Sequence, residues 1–430
     1  MDAFLVRGGR RLQGAVEIGG AKNAALPILA AAVLVAGRTV IHRVPRLRDV
    51  TTMQRVLAHL GVRGGYASDD AESSHGHTFE VDASRITASE APWDLVRQMR
   101  ASVYVLGPLL ARTGRARVAL PGGCAWGPRP IDLHLKAMEA LGAKIELEHG
   151  DIVASAPPGG LVGGRLTFDV SSVGATGNAL MAAVLARGTT VIENAAREPD
   201  IVALIDFLNA AGARIEGKGS TTLEIHGVTA LEPIEFTNIP DRIETGTYAA
   251  AAAITGGDVT LNGARADHCG IVLERLQEMG VKVESNSESI HLSAPTRLRA
   301  IDVTTQVYPG FPTDLQAQFM ALLALSDGDG VVTEMIYPDR FTHVPELRRL
   351  GAKIRLQNNV AAVRGVNTFS GASVTSTDIR ASSALVLAGL AGVGVTQIHR
   401  VYHIDRGYER IEERLRGIGA DIERISAPGP

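Results

Sequence analysis

One ten-residue loop holds the side chains of this sequence that are best suited to covalent or proton-transfer chemistry. Residues 121–130 read PGGCAWGPRP, and three glycines with three prolines keep such a segment out of a helix or strand interior. Cys124 is one of only two cysteines in the chain, and Arg129 follows it between two prolines. Because a nearby guanidinium favours the thiolate, we predict a mobile loop that presents Cys124, as nucleophile or proton donor, to an anionic substrate. An inert cysteine in an ordinary turn is the alternative.

Cations recur where the first long helix of each of several segments is expected to begin. These are Lys22, Arg100, Arg242 and Arg380. A cation at a helix N-terminus opposes the helix dipole by about 0.3–1 kcal/mol, so the repeated placement suggests an external anion that the dipole and the cation hold together. Three more arginines, Arg129, Arg340 and Arg406, occupy loops or helix starts. We therefore predict a cleft lined for phosphate or carboxylate groups.

Asp314 follows Pro312 and Thr313 at another helix start. In a cationic cleft its carboxylate would stay ionised and could take a proton from a hydroxyl group, although capping the helix is an equally good interpretation. His403 has no visible serine or cysteine partner, so we interpret it as structural. Cys269 is interpreted as a buried small apolar residue.

Composition excludes several classes of function. The chain has 430 residues, a net charge of -3, 45% hydrophobic residues and 21% charged residues, which predicts a two-domain globular protein and no nucleic-acid partner. Its early apolar run, 24–35, is too short to cross a bilayer, and no signal pattern or disulfide framework is evident, so we expect a cytoplasmic protein. No phosphate-binding or dinucleotide-binding glycine motif occurs, so neither a nicotinamide cofactor nor a P-loop nucleotide site is expected. His75 and His77 could bind a metal, but nothing else offers ligands, so no metal is expected. The sequence specifies no oligomeric state.

A short phrase recurs six times: an amphipathic helix ending in glycine, then a small residue and an alternating strand. The marker glycines are Gly61, Gly142, Gly212, Gly280, Gly351 and Gly419. A glycine directly after a helical stretch is the usual left-handed C-cap, so each helix should end there. An apolar helix and a β-rich stretch precede each marker, which predicts six units of the form helix, strand, helix, strand.

Six α+β units of alternating helices and strands are too large for a thin solenoid and predict two domains of three units each. We expect residues 21–230 to form an N-terminal domain that carries the Cys124 loop, and residues 231–430 to form a C-terminal domain. Residues 1–20 read as strand, turn, strand, and the pattern alone allows them in either domain.

Seven motifs, taken in chain order, together resemble one family. They are GAKNAALP (20–27), PGGC (121–124), RPIDLH (129–134), NAAREP (194–199), PDRIETG (240–246), FPTDLQAQ (311–318) and YHIDRGYE (402–409). The chain is identified on these motifs as a member of the UDP-N-acetylglucosamine 1-carboxyvinyltransferases, which are enolpyruvyl transferases. The resemblance implies a two-domain inside-out α/β barrel with three repeats per domain. It also implies that residues 1–20 join the C-terminal domain and that the active site lies in the cleft between the domains.

The resemblance further implies transfer of the enolpyruvyl group of phosphoenolpyruvate to the 3'-hydroxyl of UDP-N-acetylglucosamine, with release of phosphate, as the first committed step of peptidoglycan synthesis. Cys124 would be the proton donor, the site of a covalent phosphoenolpyruvate adduct and the target of fosfomycin, and Asp314 would be the base. The residues implied for phosphoenolpyruvate are Lys22, Asn23, Arg129, Arg340, Arg380 and Arg406, with Lys22 and Arg406 also catalytic. Those implied for the UDP-sugar are Arg100, Arg129, Pro130, Ile131, Asp132, Leu133, Ser172, Val173, Gly174, Asp314 and Ile336.

Two alternatives remain open. One is the related enzyme that transfers the same group to shikimate 3-phosphate, although its motifs lack the PGGC loop. The other is a catalytically silent protein that binds a UDP-sugar, against which stand the intact Cys124, Asp314, Lys22 and Arg406.

Overall fold

A computed structural model describes residues 2–67, 76–120 and 131–426 of the chain. Short 3-10 segments cover residues 32–34, 100–105, 266–268, 313–315 and 401–406. The α-helices are α1 (Lys22–Ala31), α2 (Arg48–His59), α3 (Trp93–Val96), α4 (Leu106–Thr113), α5 (Asp132–Ala140), α6 (Val173–Ala183), α7 (Pro199–Ala210), α8 (Arg242–Ile254), α9 (Gly270–Glu278), α10 (Gln316–Ala324), α11 (Val344–Arg349), α12 (Ile379–Ala391) and α13 (Ile411–Gly417).

The strands are short and lie between these helices. They are β1 (Asp2–Arg7), β2 (Gln13–Glu17), β3 (Arg38–Val44), β4 (Arg63–Tyr66), β5 (His77–Asp82), β6 (Glu90–Ala91), β7 (Arg115–Ala119), β8 (Lys144–Glu148), β9 (Asp151–Ser155), β10 (Arg165–Thr167), β11 (Thr189–Glu193), β12 (Arg214–Glu216), β13 (Thr222–His226), β14 (Glu235–Thr237), β15 (Asp258–Asn262), β16 (Lys282–Ser285), β17 (Ser289–Ser293), β18 (Val303–Thr304), β19 (Asp329–Thr333), β20 (Lys353–Gln357), β21 (Val360–Arg364), β22 (Ser373–Thr375), β23 (Val395–His399) and β24 (Asp421–Ser426).

Within the described ranges these strands form six four-stranded sheets with the same pattern of strand pairing. Each has a parallel edge pair followed by two antiparallel pairings. The orders are β14-β3-β5-β4, β6-β7-β9-β8, β10-β11-β13-β12, β2-β15-β17-β16, β18-β19-β21-β20 and β22-β23-β1-β24. The sixfold repeat expected from the marker glycines is therefore confirmed.

All six marker glycines have positive φ, from 85° to 104°, which confirms their prediction as left-handed helix C-caps. The backbone hydrogen bonds repeat as well. After α2, for example, the N–H of Gly61 donates to Ala58 and the N–H of Val62 donates to Leu57, and the same pair of bonds follows the other five helices. This is the hydrogen-bond pattern of the Schellman motif, so a residue with a Cβ would strain each of these helix ends.

The chain divides into two compact units. The central unit comprises the described residues of 20–239, and the discontinuous unit comprises 2–19 with 240–426. Each has its own hydrophobic core. The N-terminal strands belong to the discontinuous unit because β1 pairs with β23 and β24, and β2 pairs with β15.

Helices lie inside the sheets in the discontinuous unit. Helices α8, α10 and α12 pack pairwise against one another, and nearly all of their residues are buried. Strands such as β19 and β23 bury alternate residues and leave the others exposed or half-buried. This is the inside-out arrangement. In the part of the chain that the structure describes, its strands form three separate sheets and not one continuous barrel.

The start of the second repeat differs from the prediction. We expected its first long helix to open near Arg100, but residues 100–105 form a 3-10 segment and α4 begins at Leu106. Pro108 has no N–H to donate to the carbonyl of Tyr104, so one hydrogen bond that would continue the α-helix upstream is missing there. Across the described parts of the chain, the helices are too short or too polar to cross a membrane.

Candidate active site

Lys22 is the first residue of α1 and is buried in the central unit. Its Nζ lies 2.9 Å from Oδ2 of Asp49, a buried residue of α2. No side chain caps the N-terminus of α1. The ammonium group of Lys22 lies unfavourably at the positive end of the helix dipole, and the Asp49 carboxylate offsets that charge. Asn23 follows as the second helical residue. The sequence offered no signal for Asp49, which is 27 residues away along the chain.

His134 joins three of the segments predicted to bind the nucleotide sugar. The start of α6 packs on it, since a Cβ added to Gly174 would lie 2.9 Å from His134 Nε2. Ile131, Asp132 and Leu133 immediately precede it at the start of α5. Burial, followed by the charge of nearby Arg100, lowers the pKa of His134 to about 4. The structure therefore brings Arg100 and the first turns of α5 and α6 together around a neutral imidazole.

Asn178 fixes the tautomer of that imidazole. Its amide Nδ2 lies 2.9 Å from His134 Nδ1 and donates to the carbonyl of Val103 at 2.9 Å, while its Oδ1 accepts from the N–H of Gly107 at 2.8 Å. Because an amide nitrogen only donates, His134 Nδ1 accepts and its Nε2 carries the proton towards Gly174. We did not predict roles for His134 or Asn178, although His134 ends the RPIDLH motif.

Ser172 caps α6, since its Oγ accepts a hydrogen bond from the N–H of Ala175 at 3.3 Å. Asp241 and Asp378 cap α8 and α12 in the same way, each accepting from two backbone N–H groups. Polar side chains therefore act as N-caps at all three of these helix starts.

Asp314 lies in the 3-10 segment before α10 and caps no helix with its side chain. Its Oδ1 is 2.8 Å from Nη2 of Arg340, and its Oδ2 is 2.9 Å from Nη2 of Arg380. Both arginine side chains are less than 10% exposed, whereas that of Asp314 is 26% exposed. Of the two interpretations of Asp314, the structure favours the carboxylate in a cationic environment.

In this triad of Asp314, Arg340 and Arg380, the charges of the partners keep the Asp314 carboxyl ionised and the Arg380 guanidinium protonated. Burial opposes ionisation of the Asp314 carboxyl, but the charges and hydrogen bonds of Arg380 and Arg340 hold its pKa well below its usual range. Burial also disfavours charge on Arg380, yet the Asp314 carboxylate keeps the pKa of that guanidinium raised. Within the triad two positive charges contact one negative charge, and the carboxylates of Asp241 and Asp378 also act on Arg380 and Arg340 respectively. The two guanidinium groups remain suited to binding an anion.

A second group of side chains contacts Arg380 through its other terminal nitrogen, Nη1. Its Nη1 donates to the Tyr408 hydroxyl at 3.3 Å, and that hydroxyl lies 2.8 Å from Thr247 Oγ1 and 3.4 Å from Gln318 Nε2. Gly407 allows the segment to approach, since a Cβ there would be 2.7 Å from Ile379 Cγ2 and 3.8 Å from Arg380 Nη1. Arg406, the residue before Gly407, thus precedes a segment packed on the start of α12.

The remaining predicted site residues fall in two groups. Ile336 follows β19, and its N–H donates to Glu334 Oε1 at 2.8 Å. Cys124, Arg129 and Pro130 lie outside the described residues.

Within residues 2–67, 76–120 and 131–426, histidine, cysteine, aspartate and glutamate side chains nowhere cluster as a metal site requires. Cys269 is buried, as the sequence predicted, and burial raises the pKa of its thiol to about 12.

Comparison with known proteins places the chain in a family. It is 54% identical over 425 residues to the UDP-N-acetylglucosamine 1-carboxyvinyltransferase of Gluconacetobacter diazotrophicus, covering 99% of this chain and all of that protein. It is 51% identical over 428 residues to the protein of the same name from Trichlorobacter lovleyi, covering the full length of both. The chain belongs to the UDP-N-acetylglucosamine 1-carboxyvinyltransferase family.

Two further comparisons agree with this assignment. The family profile described as EPSP synthase (3-phosphoshikimate 1-carboxyvinyltransferase) matches residues 6–415. The crystal structure of the enolpyruvyl transferase NikO from Streptomyces tendae matches with a TM-score of 0.88 at 27% identity, covering 99% of both chains. The protein is therefore a transferase with the enolpyruvyl transferase fold, and the resemblance seen in the seven motifs is confirmed.

Proposed function

We propose that this protein transfers the enolpyruvyl group of phosphoenolpyruvate to the 3'-hydroxyl of UDP-N-acetylglucosamine and releases phosphate. Relatives that carry this activity in their names are 51% and 54% identical over essentially the whole chain. The structural observation that supports the proposal is the Asp314 carboxylate, which lies between two buried guanidinium groups. Such a triad combines a base with a binding site for an anion.

Asp314 is the proposed base on the 3'-hydroxyl. The pKa of Asp314 is held well below the usual range, so its carboxylate is a weak base as long as no bound anion shares the positive charge of the two arginines. An anionic substrate that binds Arg340 and Arg380 would share that charge and raise the basicity of Asp314. The base would therefore become effective mainly when phosphoenolpyruvate is bound.

Phosphoenolpyruvate would be held by cations that balance its phosphate and carboxylate, with one amide beside them. These residues are Lys22, Asn23, Arg129, Arg340, Arg380 and Arg406. Cys124 would donate a proton to the methylene carbon, so that the neighbouring carbon develops positive charge and is attacked by the 3'-oxygen. Asp314 would accept the proton of that hydroxyl. The Cys124 thiolate would then take a proton back from the resulting methyl group, and the departure of phosphate would restore the double bond.

The UDP-sugar would bind where Arg100 and the first turns of α5 and α6 meet around His134. The residues proposed are Arg100, Arg129, Pro130, Ile131, Asp132, Leu133, Ser172, Val173, Gly174, Asp314 and Ile336. The N-terminus of α6 and the Arg100 guanidinium are both suited to a diphosphate. We further propose that the product enters peptidoglycan synthesis in the cytoplasm and that Cys124 is alkylated by fosfomycin.

Phosphate release tests the proposed function directly. Phosphate should appear only when phosphoenolpyruvate and UDP-N-acetylglucosamine are both present, and omission of either should abolish it. Turnover with shikimate 3-phosphate in place of the UDP-sugar would contradict the proposal. Binding of UDP-N-acetylglucosamine without any turnover would instead support the catalytically silent alternative.

A further inference from the structure

Glu334 is a completely buried carboxylate that follows β19 in the discontinuous unit. Its Oε1 accepts from Thr305 Oγ1 at 2.7 Å and from the N–H groups of Ile336 and Tyr337 at 2.8 and 3.0 Å. Its Oε2 accepts from Thr313 Oγ1 at 2.9 Å. Four donors thus converge on one side chain that donates to none of them, as expected for a carboxylate.

The bond to Thr313 reaches the proposed active site. The single hydroxyl proton of Thr313 is directed at Glu334, so its oxygen is free to accept from Arg340 Nη1, which lies 3.0 Å away. Arg340 in turn holds Asp314 through its other nitrogen. Asp314 is also the next residue after Thr313, so Thr313 leads to one member of the triad through its hydroxyl and to another through its backbone.

The bonds to the backbone reach a second part of the proposed site. Ile336 is proposed to contact the UDP-sugar, and Glu334 fixes its N–H. Tyr337, whose N–H also binds Glu334, accepts a hydrogen bond from the N–H of Arg340 at 2.9 Å. One buried carboxylate therefore holds the segments of Asp314, Ile336 and Arg340 in register.

We propose that Glu334 is a positioning residue for this reaction, acting through Thr313 on Arg340 and Asp314. The inference rests on the proposed function and adds a residue that contacts neither substrate. A buried carboxylate that served stability alone would have no need to orient a hydroxyl that accepts from a site arginine. Proper orientation of the base contributes to the rate because small displacements of a catalytic group are costly.

Glu334→Gln distinguishes the role of Glu334 in holding the backbone from its role in orienting the Thr313 hydroxyl. If the amide oxygen takes the place of Oε1, the bonds from Thr305, Ile336 and Tyr337 are kept, whereas the amide NH2 at the position of Oε2 must donate to Thr313. The Thr313 oxygen then faces two donors and its own proton loses its acceptor. We expect kcat to fall about 10-fold, the size expected for one hydrogen bond to a charged network, with KM for UDP-N-acetylglucosamine changed less than about twofold.

The decisive experiment is a double-mutant cycle with Thr313→Val, which removes the same link from the other side. The double variant should lose about as much kcat as either single variant, because both break one connection. Thr313→Ser should retain nearly full activity. Glu346→Gln is the matched control. Glu346 also accepts from a backbone N–H, that of Thr375, at 2.8 Å, and it hydrogen-bonds to none of the proposed site residues that the structure describes.

Three results would overturn the inference: wild-type kcat in Glu334→Gln, multiplicative losses in the double variant, or an equal loss in Glu346→Gln. A wild type without turnover would refute the proposed function instead. In that case the same double-mutant cycle is measured by urea unfolding. If the double variant loses about as much unfolding free energy as one single variant, the link from Glu334 to Thr313 is supported. Strictly additive destabilisation contradicts it.

Discussion

Asp241, Asp314 and Asp378 each stand at the start of the first long helix of a repeat in the discontinuous unit. Asp241 and Asp378 accept hydrogen bonds from two backbone N–H groups of their own helices, α8 and α12. Asp314 precedes α10 but turns its carboxylate to Arg340 and Arg380. The same residue type at similar places in the repeat thus has two roles, and the exception marks the proposed active site.

The difference has a local cause. Residues 313–315 form a 3-10 turn between Pro312 and α10, whereas α8 and α12 begin directly after their aspartates. Asp314 therefore lies within the turn and not at the N-cap position, so its side chain is available for contacts with distant residues. The repeated helix starts form the scaffold, and the 3-10 turn at residues 313–315 is the local difference that frees the Asp314 carboxylate for the proposed reaction.

The largest expected effect comes from removing the charge of Asp314. Asp314→Asn keeps the shape and should lower kcat at least about 100-fold, in line with the loss of a general base. Asp241→Asn is the matched control, because asparagine caps helices as well as aspartate does, and its turnover should stay within about twofold of wild type. Equal kcat losses in the two variants, measured by phosphate release, would remove the distinction between the aspartates.

Arg380→Lys should have the next largest effect. Lysine keeps the charge but cannot bind Asp314 and Tyr408 at once with a planar fork. The loss of one charge-assisted hydrogen bond predicts that kcat/KM for phosphoenolpyruvate falls about 10- to 100-fold. Arg349→Lys, at an exposed arginine that binds the carbonyl of Ser373, is the control and should be nearly silent. A kcat/KM close to wild type in Arg380→Lys would show that charge alone suffices.

Asp241→Ala tests the other role of these aspartates. It removes two hydrogen bonds at the start of α8 and should lower the free energy of unfolding by about 1 kcal/mol, the usual cost of losing an N-cap. Chemical denaturation measures this, with kcat determined on the same sample. Unchanged stability together with a large loss of kcat would place Asp241 among the catalytic groups and break the comparison.

Acid should reveal the smallest difference, because the Asp314 side chain is partly exposed. Its folded-state pKa is depressed, so its contribution to stability is present above the unfolded pKa, about 3.9, and is lost as pH falls towards the folded value. The unfolding free energy of wild type should therefore fall more steeply below about pH 4 than that of Asp314→Asn. Parallel curves would show that the folded and unfolded pKa values of Asp314 do not differ.

Much of the fold and part of the site were accessible from the sequence. Glycine C-caps, polar N-caps and alternating strands depend on residues at most five apart, so the six repeats could be predicted from local patterns. The same local logic singled out Lys22, Asp314 and Arg380, because cations and a carboxylate at helix starts needed explanation. It failed at Arg100, where a 3-10 segment forms and Pro108, several residues later, lacks the N–H that an α-helix would use.

Only the tertiary structure decided which of these groups meet. Asp314 and Arg380 are 66 residues apart, and Asn178 and His134 are 44 apart, so no local spacing encodes their contacts. The same holds for Asp49 beside Lys22 and for Glu334 behind Thr313, which have no motif of their own. Local patterns specify helices, strands and their ends because hydrogen bonds there join near neighbours. The charge and the orientation of a site depend on which segments the packed core brings together.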